Sequence, residues 1–166
     1  MGKNDKRFRG KREKPEYDQK LLDLARVTRV VKGGRRFRFR ATLVIGNRKG
    51  KVGVGVGKGA DVSDAIRKAF DDAKKSMITV PMRKNTIPHE VVYKVGSARI
   101  ILKPAGPGKG VIAGGAIRSV VDLAGVKDIT AKSLGTSNKL NVARATVAAF
   151  MSLNNVKTRK SRVGGE

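Results

Sequence analysis

There is no cysteine and no tryptophan in this chain, and its only histidine is His89. Without thiols it can form no disulfide, no thiol nucleophile and no Cys-based zinc site. A lone histidine builds neither a multi-His metal centre nor a two-His acid–base pair. No apolar run approaches the ~18 residues that a membrane-spanning helix needs. The N-terminal MGKNDKRFRGKREK contains no apolar stretch that could act as a signal peptide. These absences fit a reducing, cytoplasmic setting. Acidic side chains are scarce as well: 13 Asp and Glu stand against 38 Lys and Arg in 166 residues, a net charge of +25 and a pI near 11.2. Self-repulsion on that scale opposes compaction unless an anionic partner neutralises it. A hydrophobic content of 39% nevertheless allows a fold, and the length suits one domain or two small ones.

The shortage of acids is local. Between Ala25 and Ala60 there are eleven cations (Arg26, Arg29, Lys32, Arg35, Arg36, Arg38, Arg40, Arg48, Lys49, Lys51 and Lys58) and no carboxylate. An ordinary solvated face mixes signs, because like charges repel. One sign over 36 residues reads as a surface for a polyanion.

Residues 1–21 are polar, carry both signs and lack periodicity, so they read as a flexible basic extension; residues 155–166 read as a shorter basic tail. Between them, Leu24–Val31 is expected to be a strand, followed by a turn at Lys32-Gly33-Gly34-Arg35. In the next strand Phe37, Phe39, Ala41, Leu43 and Ile45 alternate with Arg36, Arg38, Arg40, Thr42 and Val44. A period of two sends the first set to a core face and the arginines to the other. After the turn at Gly46–Gly50, Val52, Val54 and Val56 alternate with Gly53, Gly55 and Gly57. The valines are expected to join the core face. That leaves a nearly bare backbone beside the arginine row, open to RNA or to a closely packed protein neighbour. Val62, Ala65, Ile66, Ala69, Phe70, Ala73 and Met77 form one helical stripe, with Asp61 as the expected N-cap.

Residues 79–90, with two prolines, read as a link. Beyond it, strands over Val91–Val95 and Ala98–Lys103, a Gly/Pro loop from Pro104 to Gly110, a helix over Gly114–Ala124, a strand over Val126–Ser133 and a final helix with Leu140, Ala143, Val147, Phe150 and Met151 make a second α/β unit. The expected organisation is 22–85 and 86–154 as two small domains of mixed α and β structure. Phe37, Phe39, Phe70 and Phe150 all fall on expected core faces. Base stacking therefore has little support, and phosphate and shape recognition is the better reading.

Enzymatic readings fail on spacing. At both Gly57-Lys58 and Gly108-Lys109 the first glycine of a P-loop is missing (Val52 and Lys103 occupy its place), and glycine rather than Ser or Thr follows the lysine. Gly55-Val56-Gly57-Lys58-Gly59-Ala60 matches G-x-G-x-x-A, but no second strand ending in an acid follows about 20 residues on. His89, beside Glu90 in the link, has no nucleophile partner in the pattern. No catalytic residue, metal ligand or cofactor is expected.

At the glycine-rich segments, VVKGGRRFRFRATLVIGNRKGKVGVGVGKGADVSDAIRKAF and GVIAGGAIRSVVDLAGVKDITAKSLGTSN…NVARAT closely resemble the ribosomal protein S5 family of the bacterial small subunit, over roughly residues 22–153. The resemblance implies a three-stranded sheet with a helix, similar to a double-stranded-RNA-binding domain, followed by a second α/β domain. It further implies binding to 16S ribosomal RNA at the junction of head and body, contacts with the small-subunit proteins S4 and S8, a place beside the messenger's path, and roles in assembly and accuracy. The Lys32–Arg35 hairpin matches the loop that reaches RNA near the spectinomycin site. Gly110 and Arg118, with the neighbouring Lys109, match the S4 interface. Lys109 and Lys139 depart from the family's usual small polar residue and proline.

Two other classes fit parts of the pattern. A free-standing RNA or DNA chaperone would bind generic duplexes as well as ribosomal RNA, and a nucleotide-dependent enzyme would use Gly55–Ala60. The expected RNA surface comprises Arg26, Arg29, Lys32, Gly33, Gly34, Arg35, Arg36, Arg38, Arg40, Arg48, Lys49, Lys51, Gly53, Gly55 and Lys58, with the second domain docking on protein neighbours.

Overall fold

The computed structural model describes residues 16–163, with side chains described as far as 153. Strands β1 (Asp18–Val31), β2 (Gly34–Gly46) and β3 (Lys51–Gly59) form an antiparallel meander, and the two-residue β4 (Ile78–Thr79) extends it in the order β1-β2-β3-β4. Helix α1 (Val62–Lys75) connects β3 to β4. The second sheet has the order β5-β6-β8-β7, built from β5 (Val91–Val95), β6 (Ala98–Pro104), β7 (Val111–Ile112) and β8 (Ile129–Gly135). β7 runs parallel to β8, and helix α2 (Gly115–Ala124) supplies the crossover that such a pair needs. Helix α3 is Lys139–Val163. Two small α/β units thus follow one another, the first with four strands rather than three.

Cross-strand register decides which faces meet. Ala41, Leu43 and Ile45 stand opposite Gly57, Gly55 and Gly53, and residues directly opposite share a face. The glycines therefore lie on the apolar face of β2, and α1 occupies the bare backbone. A Cβ at Gly53, Gly55 or Gly57 would overlap the carbonyl oxygens of Ala73, Ala69 and Ala65 respectively. Those three alanines, one per turn of helix, are fully buried, so the helix backbone rests almost directly on the strand. Gly53 and Gly55 are thus covered by the chain's own helix, which corrects the expectation that they face RNA. The pattern within each strand defines two faces, but not which face of one strand aligns with which of the next. The helix also guards the free edge of β3. The Val56 amide donates to Asp72 Oδ2 at 2.9 Å, and Ser76 Oγ donates to the Val54 carbonyl at 2.9 Å, so groups that would invite another strand are satisfied.

The valines of β3 point the other way. Val44, Val52 and Val54 share one core with Ile100, Leu102 and Ile129 of the second sheet, Ile117, Val120 and Val121 of α2, and Phe150 of α3. The two units are therefore joined through their larger core, with α2 between them. The link belongs to it too: Val80 and Ile87 are buried, and the Val80 amide donates to the Gly50 carbonyl at 2.7 Å. The β2–β3 turn seals the junction. Its Arg48 and Gly50 amides donate to the Leu123 and Ala124 carbonyls at 2.9 and 2.8 Å, satisfying acceptors that a helix C-terminus leaves open. Gly125 caps that terminus at φ +87°, a left-handed conformation.

Several boundaries differ from the sequence reading. β1 begins at Asp18 rather than Leu24, so residues 18–21 of the expected extension are strand, while 1–15 lie outside the described residues. Pairing of Lys20 with Val44 and Leu21 with Leu43 recruits a segment that has no alternation of its own. A register shift between Leu21 and Asp23 brings Leu22 against the larger core. β8 starts at Ile129 rather than Val126 because the Lys127 and Asp128 amides donate to the Asn85 carbonyl instead of a strand neighbour. Asp61 takes the N-cap position of α1 without a side-chain hydrogen bond, and Met77 lies past the helix end. α3 starts at Lys139 without a proline. Asn138 Oδ1 accepts from the Leu140 amide at 3.1 Å, and the Lys139 ammonium pairs with Asp23 at 3.1 Å. The helix runs on to Val163, where a tail was expected from 155; residues 164–166 lie outside the described residues. Met151 is 53% exposed, so it leaves the expected stripe, while Phe150 and Leu153 are buried.

Candidate nucleic-acid interface

β3 pairs with β2 only as far as Gly59 opposite Phe39. Gly34–Arg38 of β2 and the facing part of β1 therefore overhang the sheet as a two-stranded hairpin, and residues 32–38 are all exposed. The pleat sorts its cations. Arg36, Arg38 and Arg40 share one face; Arg29 stands opposite Arg36 and Lys58 opposite Arg40, so both join that face. A groove of about 400 Å³ follows it, lined by Val27, Thr28, Arg29, Val31, Arg36 and Arg38. Among the described residues, none of these five cations lies in an ion pair. Such a row, half of it clear of the body of the protein, focuses a positive field that phosphates relieve, and forked guanidinium donors match their geometry.

The other face of the hairpin carries Arg26, Arg35 and Phe37. The Arg26 guanidinium carbon lies 3.5 Å from the centroid of the Phe37 ring. Phe37 is 44% exposed and not the core residue expected, whereas Phe39, half-buried, packs against the α1-side core on the expected face. The small α1-side core reaches Ala41, Leu43 and Ile45 with Phe39 at its margin, so the first member of the alternating set falls beyond the helix. The hairpin's length relative to β3 was the missing signal. Lys32 and Gly33 form the turn, and Gly34 follows at φ +146°.

Arg48, Lys49 and Lys51 sit at the other end of β2. Thirteen residues at ~3.3 Å each separate the two tips by roughly 40 Å along the strand. The single RNA surface expected from the sequence is therefore divided between two ends of the sheet. The Arg48 guanidinium is held by Asp18 at 2.8 Å, while Lys49 and Lys51 are exposed around a turn whose amides Asn47 Oδ1 accepts at 2.8 and 3.0 Å.

In the second unit, Lys109 is exposed in the loop before β7. The Gly110 amide donates to Asp128 Oδ1 at 3.0 Å and its carbonyl accepts from Ile129 at 3.1 Å, fixing that loop on β8. Arg118 is exposed in the first turn of α2. Among the described residues no three His, Asp or Glu gather as metal ligands, and no helix is long and apolar enough to cross a membrane.

The family model for the N-terminal domain of ribosomal protein S5 matches residues 17–81, and that for its C-terminal domain matches residues 93–162. The chain belongs to the ribosomal protein S5 family. Similar relatives include the small ribosomal subunit protein uS5 of Campylobacter jejuni strain 81-176 and that of strain RM1221. Each is 54% identical over 143 residues, covering 86% of this chain and 97% of the relative. Members of the S5 family are structural proteins of the cytoplasmic small ribosomal subunit rather than enzymes, and binding ribosomal RNA is a property of the family. Both S5 domain matches coincide with the two units described above, so the shared valine core joins the family's two domains to each other.

Proposed function

We propose that this S5-family chain binds 16S ribosomal RNA through the overhanging β1–β2 hairpin, at the junction of head and body of the small subunit. The observation that carries this reading is the row of Arg29, Arg36, Arg38, Arg40 and Lys58 on one face. Lys32, Gly33, Gly34 and Arg35 would enter RNA as the hairpin tip, and Arg26 would add charge on the second face. Lys49 and Lys51 form a separate contact at the far end of the sheet. The second domain, through Lys109, Gly110 and Arg118, would dock on the neighbouring proteins S4 and S8. That arrangement would support assembly, decoding accuracy and the messenger's path into the ribosome.

The test is RNA binding as a function of salt. Five phosphate contacts give a log–log slope of roughly −4 to −5, from about −0.9 per contact on a duplex. Arg36→Gln with Arg38→Gln should weaken binding and flatten the slope by about 2. Variants that keep both affinity and slope would remove the arginine row from the interface. A free-standing chaperone would bind arbitrary duplexes as tightly as ribosomal RNA and would not co-sediment with small subunits from a cell extract.

A further inference from the structure

The hairpin's second face has a different chemistry from the arginine row. Arg26 lies at stacking distance, 3.5 Å, from the centroid of the Phe37 ring. Leu24 and Val30, on the same face by their pairing with Ala41 and Arg35, are 42% and 75% exposed. No carboxylate among the described residues pairs with Arg26. Arg35, two residues before Phe37 on β2, projects to this face as well. A cluster that leaves aliphatic and aromatic surface open, beside guanidinium groups, suits a ligand that is both flat and anionic.

We infer that Arg26 and Phe37 form a stacking platform for one unpaired nucleobase of RNA, with Arg35 taking a phosphate beside it. This rests on the proposal that the hairpin binds RNA. The ring supports one side of the guanidinium by cation–π attraction and restricts its rotamers. A planar, weakly hydrated cation held in this way offers its other side to a base, as guanidinium planes do in single-stranded RNA recognition. A base paired within a duplex keeps its faces stacked on its neighbours, so the platform selects a bulged or looped nucleotide. The two faces then divide the work: one neutralises phosphates along a helix, and the other selects the place where that helix is interrupted.

The experiment uses the purified full chain and three RNA hairpins of equal length: fully paired, with one unpaired 2-aminopurine, and with an abasic site at that position. The bulged RNA should bind about tenfold more tightly than the abasic one, with a change in 2-aminopurine fluorescence on binding. Arg26→Lys and, separately, Phe37→Leu should each erase most of that ratio. Lysine keeps the charge and leucine the apolar bulk, so the loss is expected in the ratio between RNAs and not in the salt slope. Equal binding of bulged and abasic RNA by the unaltered protein overturns the platform while leaving the arginine row standing, as does a ratio that survives both substitutions. Failure to bind any of the three RNAs overturns the proposed function itself.

Discussion

Gly55 lies directly beneath Ala69, close enough that a Cβ on the glycine would overlap the alanine's carbonyl oxygen. The contact is backbone on backbone, so no rotamer change can relieve an added methyl group; the helix itself has to move. Gly55→Ala is expected to destabilise the protein by about 1–3 kcal/mol, a loss of several degrees in a thermal melt. Gly33→Ala, at a turn glycine with open space around it, is the control and should change stability by less than about 0.5 kcal/mol. Equal melting temperatures for the two variants would contradict the packing described for α1.

Because Val44, Val52 and Val54 share a core with Ile117, Ile129 and Phe150, the two domains should unfold together. Calorimetry is expected to show one transition with matching calorimetric and van't Hoff enthalpies. Phe150→Ala, at a fully buried position, should lower stability by about 3–5 kcal/mol. It should do so without splitting the transition. Two resolved transitions would mean that the shared core does not couple the domains.

Gly125 joins a left-handed φ of +87° to close contact with the Arg48 backbone. Gly125→Ala therefore combines backbone strain, on the order of 1–3 kcal/mol, with displacement of the β2–β3 turn. Denaturant unfolding should show a clear loss. Asp18→Asn, which removes only the exposed carboxylate that pairs with Arg48, should cost less than about 1 kcal/mol. A larger effect at Asp18 than at Gly125 would reverse the assignment of what holds the junction.

The two glycines at the hairpin tip are not equivalent. Gly34 has φ +146°, whereas Gly33 is not in the positive-φ region. Gly34→Val should disturb the tip and lower RNA affinity and incorporation into small subunits, with Gly33→Val the milder of the two. Both can be followed in subunit sedimentation profiles and in binding to the fully paired RNA hairpin. Equal effects would show that bulk at the tip, rather than backbone conformation, is what matters.

Much of the fold was legible in the residues because it is local. The alternation in β2, the stripe of Ala65, Ala69 and Ala73, and the glycine that ends α2 all follow from short-range periodicity and from φ preferences. The limits of β1 were not legible, because an edge strand that borrows its order from β2 carries no pattern of its own. In the candidate site, the acid-free run identified the charge but not its division between two faces and two ends of the sheet. Gly53 and Gly55 were misplaced for the same reason as Phe37: register and overhang are relations between strands, and neither is written in one strand alone.

The scarcity of acids and the order of strand and helix patterns determined that this is a two-unit α/β protein with a long basic stretch free of acids. Tertiary structure decided which cations act together. Pairing of β2 with β3 stops at Phe39 opposite Gly59, and that boundary leaves Arg36 and Arg38 in solvent and exposes Phe37 beneath Arg26. The register of the same pair, with Leu43 opposite Gly55, puts α1 on the glycine face. Charge along a chain is additive and can be read in order. Its presentation depends on which backbones lie side by side.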